Sequence, residues 1–239
     1  MSDQALLVKS QYFPKPLKLI GTYWDDRPIY ANLLDGVADL IKARIESDNQ
    51  CVVLITGGTG SGKSTLAIQL MRKLEKDLSF DDTYIYSQSD LARKLKKEQA
   101  GESVSKINWY DEGSVTLNSL NTTSRAGLRF SQFFDTMRFD HYVSIICMPD
   151  GSDMNGRISK HIDFLLKCPK QAPLWNFSAK GFFTVSKKIV YNSGKVWEEV
   201  MGTGIYRDIP PRIKKAYMEI KRERAEQFKK KIIEEIEEK

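Results

Sequence analysis

The sequence is poor in the residues that build disulfide scaffolds and metal clusters. Its three cysteines, Cys51, Cys147 and Cys168, are an odd number, lie far apart and form no CxxC pair. A disulfide framework and a zinc site are therefore not expected, and a reducing cytosol fits the composition. Only two histidines are present, His141 and His161, neither with a carboxylate or cysteine at ligand spacing, so both read as surface or packing residues. No apolar run approaches the ~18–20 residues of a membrane-spanning helix. The opening MSDQALLVKSQYFPKP carries no apolar signal core, so the chain is expected to remain where it is made. With 41% hydrophobic and 28% charged residues, general disorder is excluded.

What is present alternates. Apolar runs bounded by turn residues exchange with helical periodicity along most of the 239 residues, the pattern of an α/β domain. Leu33–Glu46 reads as a helix with Leu34, Val37, Ala38, Ile41 and Ile45 on one face. A strand over Cys51–Thr56 leads into a glycine-rich loop, and a helix runs on through Leu78. Thr83–Ser87 reads as a short strand before a helix opened by Ser89-Asp90. Ile107–Glu112 follows, then a polar stretch to Asp140, a strand over Tyr142–Met148 and a helix over Ile158–Lys167. Gly181–Tyr191 reads as a strand or hairpin, and Pro210-Pro211 breaks the chain before a charged helix over Arg212–Lys239. This divides the chain into an N-terminal extension (1–31), one α/β domain (32–206) and a charged helical arm (207–239).

The loop carries the chemistry. Gly57-Gly58-Thr59-Gly60-Ser61-Gly62-Lys63-Ser64, with Thr65 after it, fits G-x4-G-K-[ST] between a buried-type strand and an amphipathic helix. Glycines let successive backbone N–H groups turn inward around a phosphate, and the helix that follows presents its positive end to the same anion. Lys63 is placed to reach the β- and γ-phosphates of a nucleotide, and the Ser64 hydroxyl to ligate Mg²⁺. Asp111-Glu112 ends a candidate strand 47 residues after Ser64. A carboxylate at a neighbouring strand end can share the Mg²⁺ with Ser64, and the next residue, Glu112, can polarise the attacking water. Asn108 interrupts that otherwise apolar strand. Further absences narrow the class: no NKxD or TKxD reads guanine, no LSGGQ marks a transporter ATPase, and no arginine-rich lid suits a nucleotide kinase.

From about Pro28 to Lys167 the sequence resembles the small P-loop ATPases of the FtsK–HerA superfamily found in archaeal viruses and plasmids. It most resembles the genome-packaging ATPases of turreted icosahedral viruses. The residues that carry this are Ile55–Thr65, Tyr84–Leu95, Asn108–Ser119 and Asp135–Lys167. Zonula-occludens-toxin-like proteins of filamentous phages share the plan. The resemblance implies a RecA-like fold, with a mostly parallel central sheet flanked by helices and a long C-terminal helix. It also implies an ATP- and Mg²⁺-dependent motor that loads double-stranded DNA into a capsid from a ring of five or six subunits. Such a motor would work in the host cytoplasm, with a capsid vertex or a membrane-protein component of the virion as further partner. An arginine from the neighbouring subunit is then expected at the γ-phosphate. Arg138 is the first candidate and Arg157 the second, with Arg125 and Arg129 behind them. The polar sensor expected after the apolar strand is replaced by Met148-Pro149, leaving Asp150 or Ser152 for that role. Alternatives stay open: an export ATPase for virion proteins, a small-molecule kinase, or a nucleotide-gated DNA-binding scaffold.

Several features allow two readings. Tyr23 and Trp24 can stack on an adenine or anchor a loop. Phe182, Phe183, Lys187, Lys188 and Tyr191 suit either a DNA contact or sheet core with a basic edge. The last helix, with Ile213, Tyr217 and Ile220 at helical spacing, is a solvated charged helix or a contact arm. Charge is uneven: residues 1–150 carry 18 basic and 19 acidic side chains, residues 151–239 carry 19 and 12. The whole excess of +6 thus lies behind the loop and the acidic pair.

Overall fold

The computed structural model describes residues 6–22, 28–111, 132–135, 140–149, 156–169, 181–190 and 196–237. Its strands are β1 (Leu7–Val8), β2 (Leu17–Thr22), β3 (Pro28–Tyr30), β4 (Cys51–Thr56), β5 (Ile107–Tyr110), β6 (Val143–Met148), β7 (Ile162–Lys167), β8 (Phe182–Val190) and β9 (Val196–Ile205). The helices are α1 (Leu33–Glu46), α2 (Lys63–Leu74), α3 (Phe80–Thr83), α4 (Gln88–Gln99), α5 (Gly156–Ser159) and α6 (Pro211–Glu237).

Strand β4 organises the rest. Its near-continuous apolar run is covered on both faces, as a central parallel strand requires. Cys51, Val53 and Ile55 face one core with Leu33, Val37 and Ile41 of α1 and Leu66, Leu70 and Met71 of α2. Val52 and Leu54 face the other with Leu91 of α4 and Ile158 of α5. Three layers result, helices on both faces of one sheet of order β1-β2-β3-β9-β8-β7-β4-β6-β5. The quartet β7-β4-β6-β5 is parallel throughout. Beyond it β8 and β9 run as an antiparallel hairpin, and β3 joins β9 in parallel. The first strands, from the stretch read as an N-terminal extension, continue this sheet through antiparallel pairing. The expected α/β class with a parallel centre and a long C-terminal helix is what is found.

Helix α1 has the bounds that its periodicity predicts. Other elements differ. Ile158–Lys167 was expected to be helical, but only α5 is, and Ile162–Lys167 forms β7 beside β4. Its apolar residues at 158, 162, 165 and 166 satisfy helical spacing, yet pairing with β4 wins, since a short apolar run fits a buried strand equally well. The Asp163 carboxylate reinforces that choice by accepting from the Val52 N–H at 2.9 Å and pairing with Arg44 at 2.7 Å. The strand expected over Thr83–Ser87 reduces to one bridge, Tyr84 to Trp109. Helix α2 ends at Leu74 instead of Leu78 because Glu75 turns extended. Helix α4 is capped by Ser87, two residues before the expected Ser89, with Asp90 accepting from the backbone N–H of Ser87 at 2.9 Å.

Asn108 acquires a reason. Lys94 of α4 is buried, and its Nζ donates to Ile107 O at 2.7 Å and Asn108 Oδ1 at 2.8 Å. The amide is thus the internal partner of an internal lysine. Burial pushes the Lys94 ammonium down from 10.5 to about 7, against the opposing pull of Asp82, Glu75 and Glu98. A lysine depressed in the fold keeps its proton longer in the unfolded chain, so stability rises with pH above about 7 and is flat below it. Between pH 7 and 8, where unfolded thiols have only begun to ionise, Lys94 is expected to add about 1 kcal/mol. Thermal melts at both pH values check this. Lys94→Met should remove the difference, and an undiminished rise in that variant would exclude Lys94 as its source.

Candidate nucleotide-binding site

The loop between β4 and α2 turns through two glycines that only glycine suits. Gly57 has φ of 150°, and a Cβ there would meet Cys168 O at 2.8 Å and Cys168 Cβ at 2.9 Å. Gly62 has φ of 95° and lies directly against the Tyr206 hydroxyl. The first turn of α2 then opens at the loop, aiming its unpaired N–H groups into the cleft. Lys63 folds over the loop, its Nζ donating to Gly57 O at 2.7 Å and Gly58 O at 3.1 Å. Its ammonium is thereby held above the concavity in which a phosphate would sit.

Strand β6 separates β4 from β5, yet the loop and the acidic residue meet. Ser64 Oγ donates to Asp111 Oδ1 at 2.5 Å across 47 residues of chain. The Asp111 side chain is fully buried. Its other oxygen, Oδ2, accepts from the Tyr217 hydroxyl at 2.7 Å and from Lys221 Nζ at 2.7 Å. A hydroxyl and a carboxylate side by side are hard oxygen donors of the kind Mg²⁺ takes, so the residues fit the expected ion. Burial, with the Asp111 carboxylate adding to it, pushes the Tyr217 phenol well up, so it remains a donor to that carboxylate.

A cleft of about 440 Å³ opens beside the loop, lined by Lys63, Ser64, Thr65, Tyr206, Asp208 and Tyr217 among others. Its far wall is the segment after β9. Gln69 of α2 fixes that segment by donating to Arg207 O at 3.0 Å and Asp208 O at 3.2 Å. The Tyr206 hydroxyl donates to Ser61 O at 3.2 Å. Helix α6 completes the wall. Tyr217 leans on Trp109 with ring centroids 5.3 Å apart, and Arg224, buried, lies 3.6 Å from Asp90 and 3.7 Å from Asp81. The stretch 207–239, read as an arm, begins as a wall of the site, with Ile209, Tyr217, Ile220 and Arg224 buried against the body.

Of the residues expected from sequence, the 57–65 loop, Lys63, Ser64 and Asp111 converge here. Glu112, Arg125, Arg129, Arg138, Asp150, Ser152, Tyr23, Trp24 and Tyr191 lie outside the described residues. Arg157 falls within α5, and its side chain is outside them too. Phe183 is fully buried in the first core and Phe182 nearly so, which favours sheet core for that pair. His161 lies between Gln50, at 3.1 Å, and Asp135, at 2.9 Å. Tyr206, Asp208, Tyr217 and Lys221 escaped the sequence reading. Tyr217 had stood there only as part of an apolar stripe, and no spacing ties Lys221 to Asp111.

Fold and site together define a RecA-like P-loop protein: a phosphate loop at the head of a central parallel strand, with an acidic residue brought to it across an intervening strand. No protein-family model matches the sequence, and no curated protein matches it. Among solved structures, the chain is similar to the genome packaging NTPase B204 of Sulfolobus turreted icosahedral virus 2 in complex with ATP-gammaS. The identity is 13% over 63% of this chain and 96% of that one, with a TM-score of 0.42. It is also similar to the N-terminal domain of zonular occludens toxin from Neisseria meningitidis, 16% identical over 71% and 91% of the two chains, TM-score 0.36. A third similarity is to EssC (ATPases 2 and 3) from Geobacillus thermodenitrificans, 11% identical, TM-score 0.40. It covers 84% of this chain but 43% of that one. Packaging ATPases of turreted icosahedral viruses and zonula-occludens-toxin-like proteins, which the sequence resembles, are thus among the proteins the structure is similar to. No helix among the described residues is long and apolar enough to cross a membrane.

Proposed function

We propose that the protein is a Mg²⁺-dependent ATPase that moves double-stranded DNA, in the service of packaging a viral genome into a capsid. The observation that carries the ATPase part is the contact between Ser64 and Asp111, which supplies a cation seat at the mouth of the phosphate loop. The loop amides and Lys63 bind and orient the phosphates, and Asp111 and Ser64 hold Mg²⁺, which neutralises charge on the leaving phosphates when bound. Glu112, next in the chain, takes the water's proton. Arg138 or Arg157 of a neighbouring subunit, in a ring of five or six, stabilises the charge that develops on the γ-phosphate. The DNA part rests on the sequence resemblance and on the excess of basic residues after position 150. Phosphate contacts of that kind move a duplex without reading its bases.

The test is steady-state ATP turnover with and without double-stranded DNA. DNA should stimulate turnover, the stimulation should weaken as salt rises, and Glu112→Gln should abolish turnover with ATP binding retained. Turnover indifferent to DNA but raised by a coat protein would replace packaging with export. ADP formed only with an added small acceptor would make the protein a kinase, and no turnover at all a scaffold.

A further inference from the structure

Asp111 is a buried carboxylate whose charge the fold must compensate, and the compensation comes from the C-terminal helix. Lys221 follows Tyr217 by one helical turn, so both side chains leave α6 on the same face and meet the same oxygen, Oδ2. The two contacts are unlike in one respect. Tyr217 is buried and wedged on Trp109, whereas the Lys221 side chain is 31% exposed, on a stem long enough to swing into solvent. The helix does not need Lys221 to stay in place, because Tyr217, Ile220 and Arg224 are themselves buried. The ammonium can therefore leave while its helix remains.

We propose that Lys221 is a tethered counter-ion that sits on the second oxygen of Asp111, beside the cation seat at Ser64, and competes with Mg²⁺ for the charge of that carboxylate. The inference rests on the reading of this cleft as a Mg²⁺–nucleotide site. Its physical basis is that one buried carboxylate cannot serve an ammonium on one oxygen and a divalent cation on the other at full strength together. Two positive charges in contact with one buried anion repel each other, so binding of Mg²⁺ requires the ammonium to turn outward. Lys221 thus lowers the Mg²⁺ affinity of the site and keeps Asp111 compensated until metal and nucleotide arrive. Because Lys221 lies on the helix that runs on to residue 237, anything that shifts α6 would change how readily the ammonium turns outward.

The experiment is a Mg²⁺ titration of binding of a fluorescent, non-hydrolysable ATP analogue to the full chain, read by anisotropy. Lys221→Met is expected to lower the half-saturating Mg²⁺ about five- to tenfold while changing Mg²⁺-free analogue binding less than about twofold. Lys221→Arg, which keeps the charge, should restore a Mg²⁺ requirement near that of the wild type. A second readout needs no nucleotide: the rise in melting temperature on adding Mg²⁺ should be larger in Lys221→Met than in the wild type. Lys221→Gln gives the same comparison should the Met variant fold poorly. An unchanged or raised Mg²⁺ requirement in the Met variant overturns the proposal, the latter making Lys221 a phosphate ligand. If the wild type binds no analogue at any Mg²⁺ concentration, the nucleotide-site reading itself fails and the inference falls with it.

Discussion

Replacing Asp111 by Asn is expected to reduce Mg²⁺-dependent ATP turnover by at least about 100-fold while the chain still folds. The carboxamide has the carboxylate's shape, so the head of β5 need not move. What changes is charge and donor count. Asp111 receives three donors, from Ser64, Tyr217 and Lys221. An amide offers one oxygen to them and turns an NH₂ group towards the rest, so donor faces donor on one side. Lys221 can move to water and the Ser64 hydroxyl can rotate to accept from the amide, but an amide turned with its NH₂ towards Tyr217 leaves that buried hydroxyl without its acceptor, which costs about 1–3 kcal/mol. Mg²⁺ loses its anionic ligand and keeps only the Ser64 hydroxyl from this pair. Initial rates across a Mg²⁺ series, with a thermal melt of each sample, separate the two effects. Turnover within threefold of wild type in a folded Asp111→Asn protein would remove Asp111 from the role of cation ligand. Glu112→Gln should differ, with turnover lost but Mg²⁺–nucleotide binding kept.

How much of this was legible in the sequence follows from how local each signal is. The loop is a single contiguous motif, and Cys51–Thr56 before it is apolar enough to announce a buried strand, so β4 and the phosphate site could be placed to the residue. Asp111 could be paired with Ser64 because a strand end after the loop is where such an acid belongs. Asn108 looked like a defect in that strand and is instead the acceptor for Lys94, a relation spanning 14 residues that no periodicity encodes. The segment 162–167 was misread because its apolar spacing satisfies a helix, and only alignment with Val52–Thr56 decides otherwise. Tyr217 and Lys221 were hidden most deeply. They lie 106 and 110 residues from Asp111, and on a one-dimensional reading a tyrosine and a lysine four apart in a charged helix are ordinary. The site was thus half legible: the part made by one loop could be read, and the wall made by the chain's last helix could not.

Trp109→Ala is expected to be the most damaging single change to stability, at about 3–5 kcal/mol. Trp109 has no exposure and sits two residues before Asp111, on the face of β5 that looks into the first core. Its ring lies 5.2 Å from that of Tyr84, 5.3 Å from Tyr217 and 6.0 Å from Phe80. Two stretches far apart in sequence therefore converge on one indole: the segment 80–84, made of helix α3 and the bridge at Tyr84, and helix α6. Truncation removes the largest side chain among them and leaves a cavity that rings cannot collapse to fill, because each is anchored to a different backbone. For a chain of this size the melting temperature should fall by roughly 6–20 °C. The loss should also reach the site, since Tyr217 leans on Trp109 while it bonds Asp111. Trp109→Ala is therefore expected to raise the half-saturating Mg²⁺ or nucleotide concentration below its melting point, whereas Trp109→Phe, which keeps a ring in the seam, should preserve most of the affinity at a smaller stability cost. Denaturant melts with analogue binding on both variants decide it. A cost under about 1 kcal/mol for Trp109→Ala would mean that α6 is held on the body without the indole, by Ile220, Arg224 and the Tyr217–Asp111 bond, with no coupling between the seam and Asp111.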